Sequence, residues 1–181
     1  MKTYIALLRG INVSGKNCVK MEQLRLLFTS LGYVNIQTYI QSGNVVFQTD
    51  AGAAYEIEGR IETQILVEMG LQVSVMVLSA KQLDFIMQQN PFLRLPHIDR
   101  DKLHVTLLSA EPLPNFVAVI DSVPYIPDEF RIVGRAIYLY CPNGYGKTKL
   151  HNNFLELRFK LKATTRNWKT ITILHGISRD F

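Results

Sequence analysis

Hydrophobic positions along this chain change period several times, and each change marks an element. Thr3 to Arg9 carries Tyr4, Ile5, Leu7 and Leu8 ahead of Gly10, which predicts a buried strand. Gly10 to Lys20 is polar, with two glycines, two asparagines and two lysines, and reads as a loop. From Met21 to Leu31 the period turns helical, with Leu24, Leu27, Phe28 and Leu31 three or four residues apart, and Gly32 suits the C-terminal cap. Val34 to Ile40 alternates as a strand, Gln41-Ser42-Gly43-Asn44 is a turn, and Val45 to Gln48 is the returning strand. Ala53 to Met69 is helical through Tyr55, Ile57, Ile61, Ile65 and Met69, and Gly70 ends it. Gln72 to Leu78 sets Val73, Val75 and Val77 on one face of a further strand.

The order β-α-β-β-α-β over residues 3–78 is that of the ferredoxin-like split βαβ unit. Its handed crossovers make the first two strands parallel, with the third inserted between them. The loop Gly10 to Lys20 and the turn Gln41 to Asn44 then fall at the same end of the sheet.

After Ser79, an N-cap, a helix runs to about Gln89 and stops at Asn90-Pro91-Phe92. Leu93 to Lys102 is a polar connector. The pattern then partly repeats. Leu103 to Leu108 is a strand, Pro114 to Ser122 a short helix, and Phe130 to Val133 and Ala136 to Tyr140 a hairpin around Gly134-Arg135. A helix is expected from about Lys147 to Leu161, and another over Asn167 to Ile177, with Trp168, Ile171, Leu174 and Ile177 on one face. This half reads β-α-β-β-α-α. The expected class is therefore α+β: a ferredoxin-like (α/β-plait) unit over residues 1–79, a helix and connector over 80–102, and a second, imperfect unit with an extra helix over 103–181.

Composition narrows the class but not the chemistry. The 181 residues are 48% hydrophobic and 19% charged, which supports a packed core and excludes disorder over most of the chain. No apolar run approaches the roughly 18 residues of a membrane span, and the early run Ile5 to Leu8 is closed by Arg9, unlike a secretory signal. Cys18 and Cys141 have no metal-type spacing, so a cytoplasmic protein without metal or cofactor is expected. The net charge of +5 is uneven: residues 131–181 hold ten Lys or Arg against Glu156 and Asp180, and residues 1–130 are net acidic. Around the expected helix the bases wrap rather than form one stripe, which favours a local anion site over a nucleic-acid groove.

Candidate chemistry lies in four segments. Arg9-Gly10-Ile11-Asn12-Val13-Ser14-Gly15-Lys16 joins a strand to a helix, where backbone N–H groups, Arg9 and Lys16 can meet an anion; Asn12 stands where a dinucleotide fingerprint needs its second glycine. Ser42-Gly43-Asn44 is explained by a tight hairpin, and the shared sheet end adds a ligand-contact reading for Ser42 and Asn44. Asn143-Gly144-Tyr145-Gly146-Lys147-Thr148-Lys149 runs through Gly-Lys-Thr, but a P-loop needs a glycine where Cys141 stands; a phosphate held at a helix N-terminus by Lys147, Thr148 and Lys149 competes with a plain turn and helix start. In Thr164 to Lys169, Thr165 or Asn167 can cap the last helix, Trp168 belongs to the core, and Arg166 can face an anion or solvent. His104-Val105-Thr106 lacks the second His-x-Thr of a two-histidine phosphoesterase, so His104 reads as a strand residue. Glu56, Glu58, Glu62 and Glu68 read as a solvated helix face, and no nucleophile or general base stands out.

These segments resemble a bacterial family catalogued as domain of unknown function 1697. The likeness rests on Arg9-Gly10-Ile11-Asn12-Val13-Ser14-Gly15, where Ser14 replaces a glycine, on Thr38 to Phe47, on Asn90-Pro91-Phe92, on Thr148-Lys149-Leu150 and on Thr165 to Thr170. It implies two ferredoxin-like units and brings no activity. Function is therefore expected from the residues: a small phosphate- or carboxylate-bearing ligand near the loop after the first strand, held by Arg9, Asn12, Lys16, Ser42, Asn44, Thr148, Lys149 and Arg166. The alternatives are a nucleic-acid-binding module, which wants the strand aromatics of an RNP-like motif, and a structural or protein-interaction domain without catalysis.

Overall fold

The computed structural model describes residues 1–13, 15–121 and 123–181, so Ser14 in the first loop and Ser122 at the end of the expected short helix lie outside the described residues. The chain divides into two compact units, Met1–Phe85 with Ile173–Phe181 and Ile86–Thr172. Each is built on a four-stranded antiparallel sheet.

The first unit contains β1 (Lys2–Leu8), α1 (Met21–Ser30), β2 (Val34–Tyr39), β3 (Asn44–Thr49), α2 (Ala54–Met69) and β4 (Val75–Ser79). Its sheet runs β2-β3-β1-β4. β1 is central, in register with β3 from Lys2↔Thr49 to Leu7↔Asn44 and with β4 from Tyr4↔Ser79 to Leu8↔Val75. Its run of apolar residues is buried from Tyr4 to Leu8, so both faces of this central strand are covered. The helices bring Leu24, Leu27 and Phe28 and the Ile57, Ile61 and Ile65 stripe into one cluster with Tyr4, Ala6, Leu8, Val45 and Phe47. Phe47 anchors it, with ring centroids of Tyr33 at 4.8 Å and Phe28 at 5.1 Å. Gly70 ends α2 at φ 67, the left-handed cap for which its position was suited.

Two carboxylates of α2, Glu58 and Glu62, depart from the expected solvated face, while Glu56 and Glu68 are exposed. Glu62 Oε1 accepts the Val75 amide at 2.9 Å and Glu58 Oε1 the Val77 amide at 2.8 Å. β4 is an edge strand, and these two glutamates satisfy amides that a fifth strand would otherwise take. Glu56 Oε2 accepts the Ala53 amide at 3.1 Å and so satisfies the N-cap donor of α2.

α3 (Ala80–Gln88) is followed by 3₁₀ turns at Pro91–Arg94 and Arg100–Lys102. The second unit then contains β5 (Leu103–Leu108), α4 (Pro114–Asp121), β6 (Glu129–Val133), β7 (Ala136–Tyr140), a 3₁₀ turn at Tyr145–Lys147, α5 (Asn152–Phe159) and β8 (Ala163–Asn167), ahead of α6 (Trp168–Arg179). The sheet order, β6-β7-β5-β8, is that of the first unit strand for strand.

Two expectations are corrected here. The helix expected over residues 147–161 begins only at Asn152, because His151 caps it by accepting the Phe154 amide and Thr148 turns the preceding chain through the Leu150 amide. Lys147, Lys149 and Lys162 therefore lie off the helix. Residues 163–167 form a strand where none was expected, paired to β5 from His104↔Asn167 to Leu108↔Ala163. The order of this half is β-α-β-β-α-β before its final helix, so the repeat is complete. Asn167 Oδ1 accepts the Thr170 amide at 2.8 Å and caps α6, and Trp168, Ile171 and Leu174 are buried as their spacing indicates. Among the described residues, no helix is long and apolar enough to cross a membrane.

Candidate functional site

The loop after β1 and the β2–β3 turn meet at one end of the first sheet. Leu8 N donates to Gly43 O at 2.8 Å, and Arg9 N donates to Ser74 O at 2.9 Å. Gly43 adopts φ +77, and a Cβ there would stand 2.7 Å from both Ile11 Cδ1 and Leu8 Cβ. The glycine is thus required by close approach as well as by the turn. Asn12, at φ 53, binds the two segments together. Its Nδ2 donates to Val19 O at 2.9 Å and to Gln41 O at 2.8 Å, and its Oδ1 accepts the Val19 amide at 2.8 Å. Asn17 closes the loop by donating from Nδ2 to Gly10 O, while its own carbonyl accepts the Asn12 amide. Asn44 is fully buried, and its Nδ2 donates to Tyr39 O at 3.0 Å and to Ser42 Oγ at 2.9 Å.

A depression of about 410 Å³ opens against this knot. It is lined by Asn12, Cys18, Val19, Lys20, Met21, Gln23 and Gln41, at the start of α1. Lys20 is the N-cap residue and makes no side-chain cap bond. A helix leaves its first N–H groups without intrahelical partners and carries partial positive charge at that end. Leu24 N donates to Lys20 O at 3.0 Å, the bond that opens the helix ladder.

The expected site residues fall into two groups. Arg9, Asn12, Lys16, Ser42 and Asn44 belong to the first unit; Thr148, Lys149 and Arg166 belong to the second. Of the first group, Asn12 lines the depression with its amide already committed to the backbone. Arg9 is half-buried at the end of β1, Lys16 is exposed, and Ser42 and Asn44 bond each other within the hairpin. Cys18, Lys20, Gln23 and Gln41 also line the space and were not among the expected residues. The signal for Lys20 and Gln23 was their position at the head of a helix following the Gly-Asn loop. Gln41 carried no signal, since its carbonyl rather than its side chain meets Asn12.

In the second unit the candidates differ in their surroundings. Thr148 is buried, accepting the Leu150 amide and bonding to the Cys141 thiol. Burial pushes that thiol up to about 11, the Asp128 carboxylate adds to the rise, and the Thr148 bond opposes it. Lys149 is exposed. Arg166 lies on β8 opposite Val105, and its Nη1 donates to Thr165 O at 3.0 Å. Burial lowers its guanidinium to about 10 against the opposing influence of Tyr145, so it stays charged at neutral pH.

A polar network missed by sequence reasoning lies on the neighbouring strand positions. Thr165 Oγ1 donates to Asn152 Oδ1 at 2.6 Å and accepts from Tyr145 Oη at 3.0 Å. A hydroxyl has one proton. The 2.6 Å contact with Thr106 therefore has Thr106 as donor. His104 stacks on Tyr145 with centroids 5.0 Å apart, and burial lowers its pKa below the ordinary histidine value. Among the described residues, no group of three or more His, Cys, Asp or Glu is arranged to hold a metal ion.

A family model described as a protein of unknown function (DUF1697) matches residues 1–138. No curated protein matches the chain. Among solved structures, the conserved bacterial protein SP0830 from Streptococcus pneumoniae is similar, with 27% sequence identity, a TM-score of 0.75 and 98% of each chain covered.

Proposed function

The chain belongs to the DUF1697 family, proteins of unknown function, and from that premise we propose that it binds a small phosphate- or carboxylate-bearing anion at the head of α1. The observation that carries this reading is the depression of about 410 Å³ at a helix start whose N-cap residue, Lys20, offers no side-chain oxygen to the amides. An anion there meets backbone N–H groups, the positive end of the helix dipole and a lysine. Asn12 acts as a positioning residue, since its three bonds hold the loop and the hairpin that wall the space. Lys16 adds exposed charge on the same loop. Thr148, Lys149 and Arg166 have no role in this reading.

Each unit is read as a ferredoxin-like plait. The β2-β3-β1-β4 and β6-β7-β5-β8 orders, with the third strand of each unit between the first two, support it. The reading also keeps the protein in the cytoplasm, where the exposed free thiol of Cys18 is at home.

Amide NMR titrations with inorganic phosphate and with acetate at low salt test the proposal. Shifts are expected over residues 18–23 and at Gln41, with Lys20→Ala weakening phosphate by about tenfold as a charge-assisted contact is lost. Absence of any local shift at millimolar anion, or an unchanged response in Lys20→Ala, defeats it.

A further inference from the structure

Four strands form the edges of the two sheets: β2 and β4 in the first, β6 and β8 in the second. An edge strand presents unpaired backbone groups and invites another strand unless something blunts it. Three of the four are blunted. β4 gives its Val75 and Val77 amides to Glu62 and Glu58 of α2. β8 gives its Ala163 amide to Glu156 of α5 at 2.9 Å, the same device in the second unit. β2 is broken by a register shift between Val34 and Gln37, with Asn35 at φ 52.

β6 differs. It pairs with β7 without a shift from Glu129↔Tyr140 to Val133↔Ala136, across the two-residue turn Gly134-Arg135. In such a hairpin the closing pair exchanges both its bonds, and every second residue repeats it. Phe130 and Ile132 therefore turn their N–H and C=O groups outward. The Phe130 carbonyl is met by the strand's own Arg131, whose Nη1 donates to it at 2.7 Å. Among the described residues, no carboxylate is bonded to a β6 amide in the manner of Glu58, Glu62 and Glu156.

A groove of about 520 Å³ runs beside this edge, between the end of α4, residues 123–128 and β6. Val117, Tyr125, Phe130 and Ile132 form its apolar lining, and Ile126, 87% exposed, stands on it. Its charges are Asp121, Asp128 and Glu129 against Arg131 alone, and Arg131 is already 3.6 Å from Glu129.

We propose that β6 and this groove bind an extended, basic peptide segment of a partner protein, which adds to the sheet as a further strand beside β6. Main-chain bonds to the Phe130 amide and to the amide and carbonyl of Ile132 supply the pairing, with Arg131 keeping the Phe130 carbonyl, and alternate side chains enter the groove. The carboxylates select lysine or arginine. A second copy of this chain is disfavoured as occupant, because pairing β6 with β6 brings two acidic grooves together.

The test uses the full chain and a labelled peptide of alternating lysine and valine. Binding is expected to shift the Phe130 and Ile132 amides. The same peptide N-methylated at alternate residues keeps its charge but loses its strand donors, and is expected to bind about tenfold or more weakly, as is the unmodified peptide to Asp121→Lys/Glu129→Lys. A peptide of alternating glutamate and valine is expected not to bind. No binding at millimolar lysine peptide, equal binding of the N-methylated or acidic peptide, equal binding by the charge-reversed protein, or self-association through β6 each overturns the proposal.

Discussion

Gly43 and Gly10 share a backbone conformation and differ in surroundings, which lets the residue scale separate two effects. Both lie in the left-handed region, at φ +77 and φ +73. A Cβ at Gly10 meets nothing within 4 Å, whereas one at Gly43 meets Ile11 and Leu8 at 2.7 Å. A left-handed alanine costs about 1–2 kcal/mol. Overpacking a filled site costs about 1–3 kcal/mol more. Gly43→Ala is thus expected to lose about 2–5 kcal/mol and Gly10→Ala only the first part, both read from urea midpoints. Equal losses would mean that the hairpin and the loop do not depend on close contact. The asparagines carry a related lesson. Asn12 and Asn44 were legible as residues of one sheet end, because chain order and handedness put the loop and the turn together. Their tasks were not legible, because an amide that contacts a ligand and one that holds a carbonyl look alike in a sequence. The structure commits both to backbone and hairpin partners.

At the scale of elements, the strands and helices of the first unit were legible because each has an apolar period of its own. β8 was not. Ala163, Thr164, Thr165, Arg166 and Asn167 have no apolar alternation, and the strand exists because β5 supplies its ladder and polar side chains its partners. Thr165 is central to that arrangement, donating to Asn152 and accepting from Tyr145 and Thr106. Thr165→Val keeps the shape and removes the hydroxyl. It removes the bond that Asn152, Tyr145 and Thr106 each make to this hydroxyl, and a loss of about 1–3 kcal/mol is expected. Tyr145→Phe made in the Thr165→Val background is then expected to cost much less than in the native chain. A double-mutant cycle on urea unfolding reads the difference, and strict additivity would show that the hydroxyls act independently.

The chain does not divide where the repeated order of elements does. The final helix follows β8 without a break, yet residues 173–181 belong with the first unit and residues 168–172 with the second. Leu174 is fully buried, Ser178 is 4% exposed, and His175 Nε2 lies 2.9 Å from Asp84 Oδ1 on α3, within the first unit. The apolar stripe of α6 was readable from its spacing, but periodicity carries no information about which core receives it. Deleting residues 173–181 therefore removes a helical part of a unit whose strands all lie at the opposite end of the chain. Losing a fully buried leucine alone costs about 2–5 kcal/mol. The expected outcome is faster amide exchange in β1 and β3, with β5 and β7 keeping their protection, since their unit retains every strand and both of its packed helices. Equal loss of protection in β5 and β7 would reassign the end of α6 to the second unit. Retained protection in β1 and β3 would show that the first sheet and its two helices are sufficient without it.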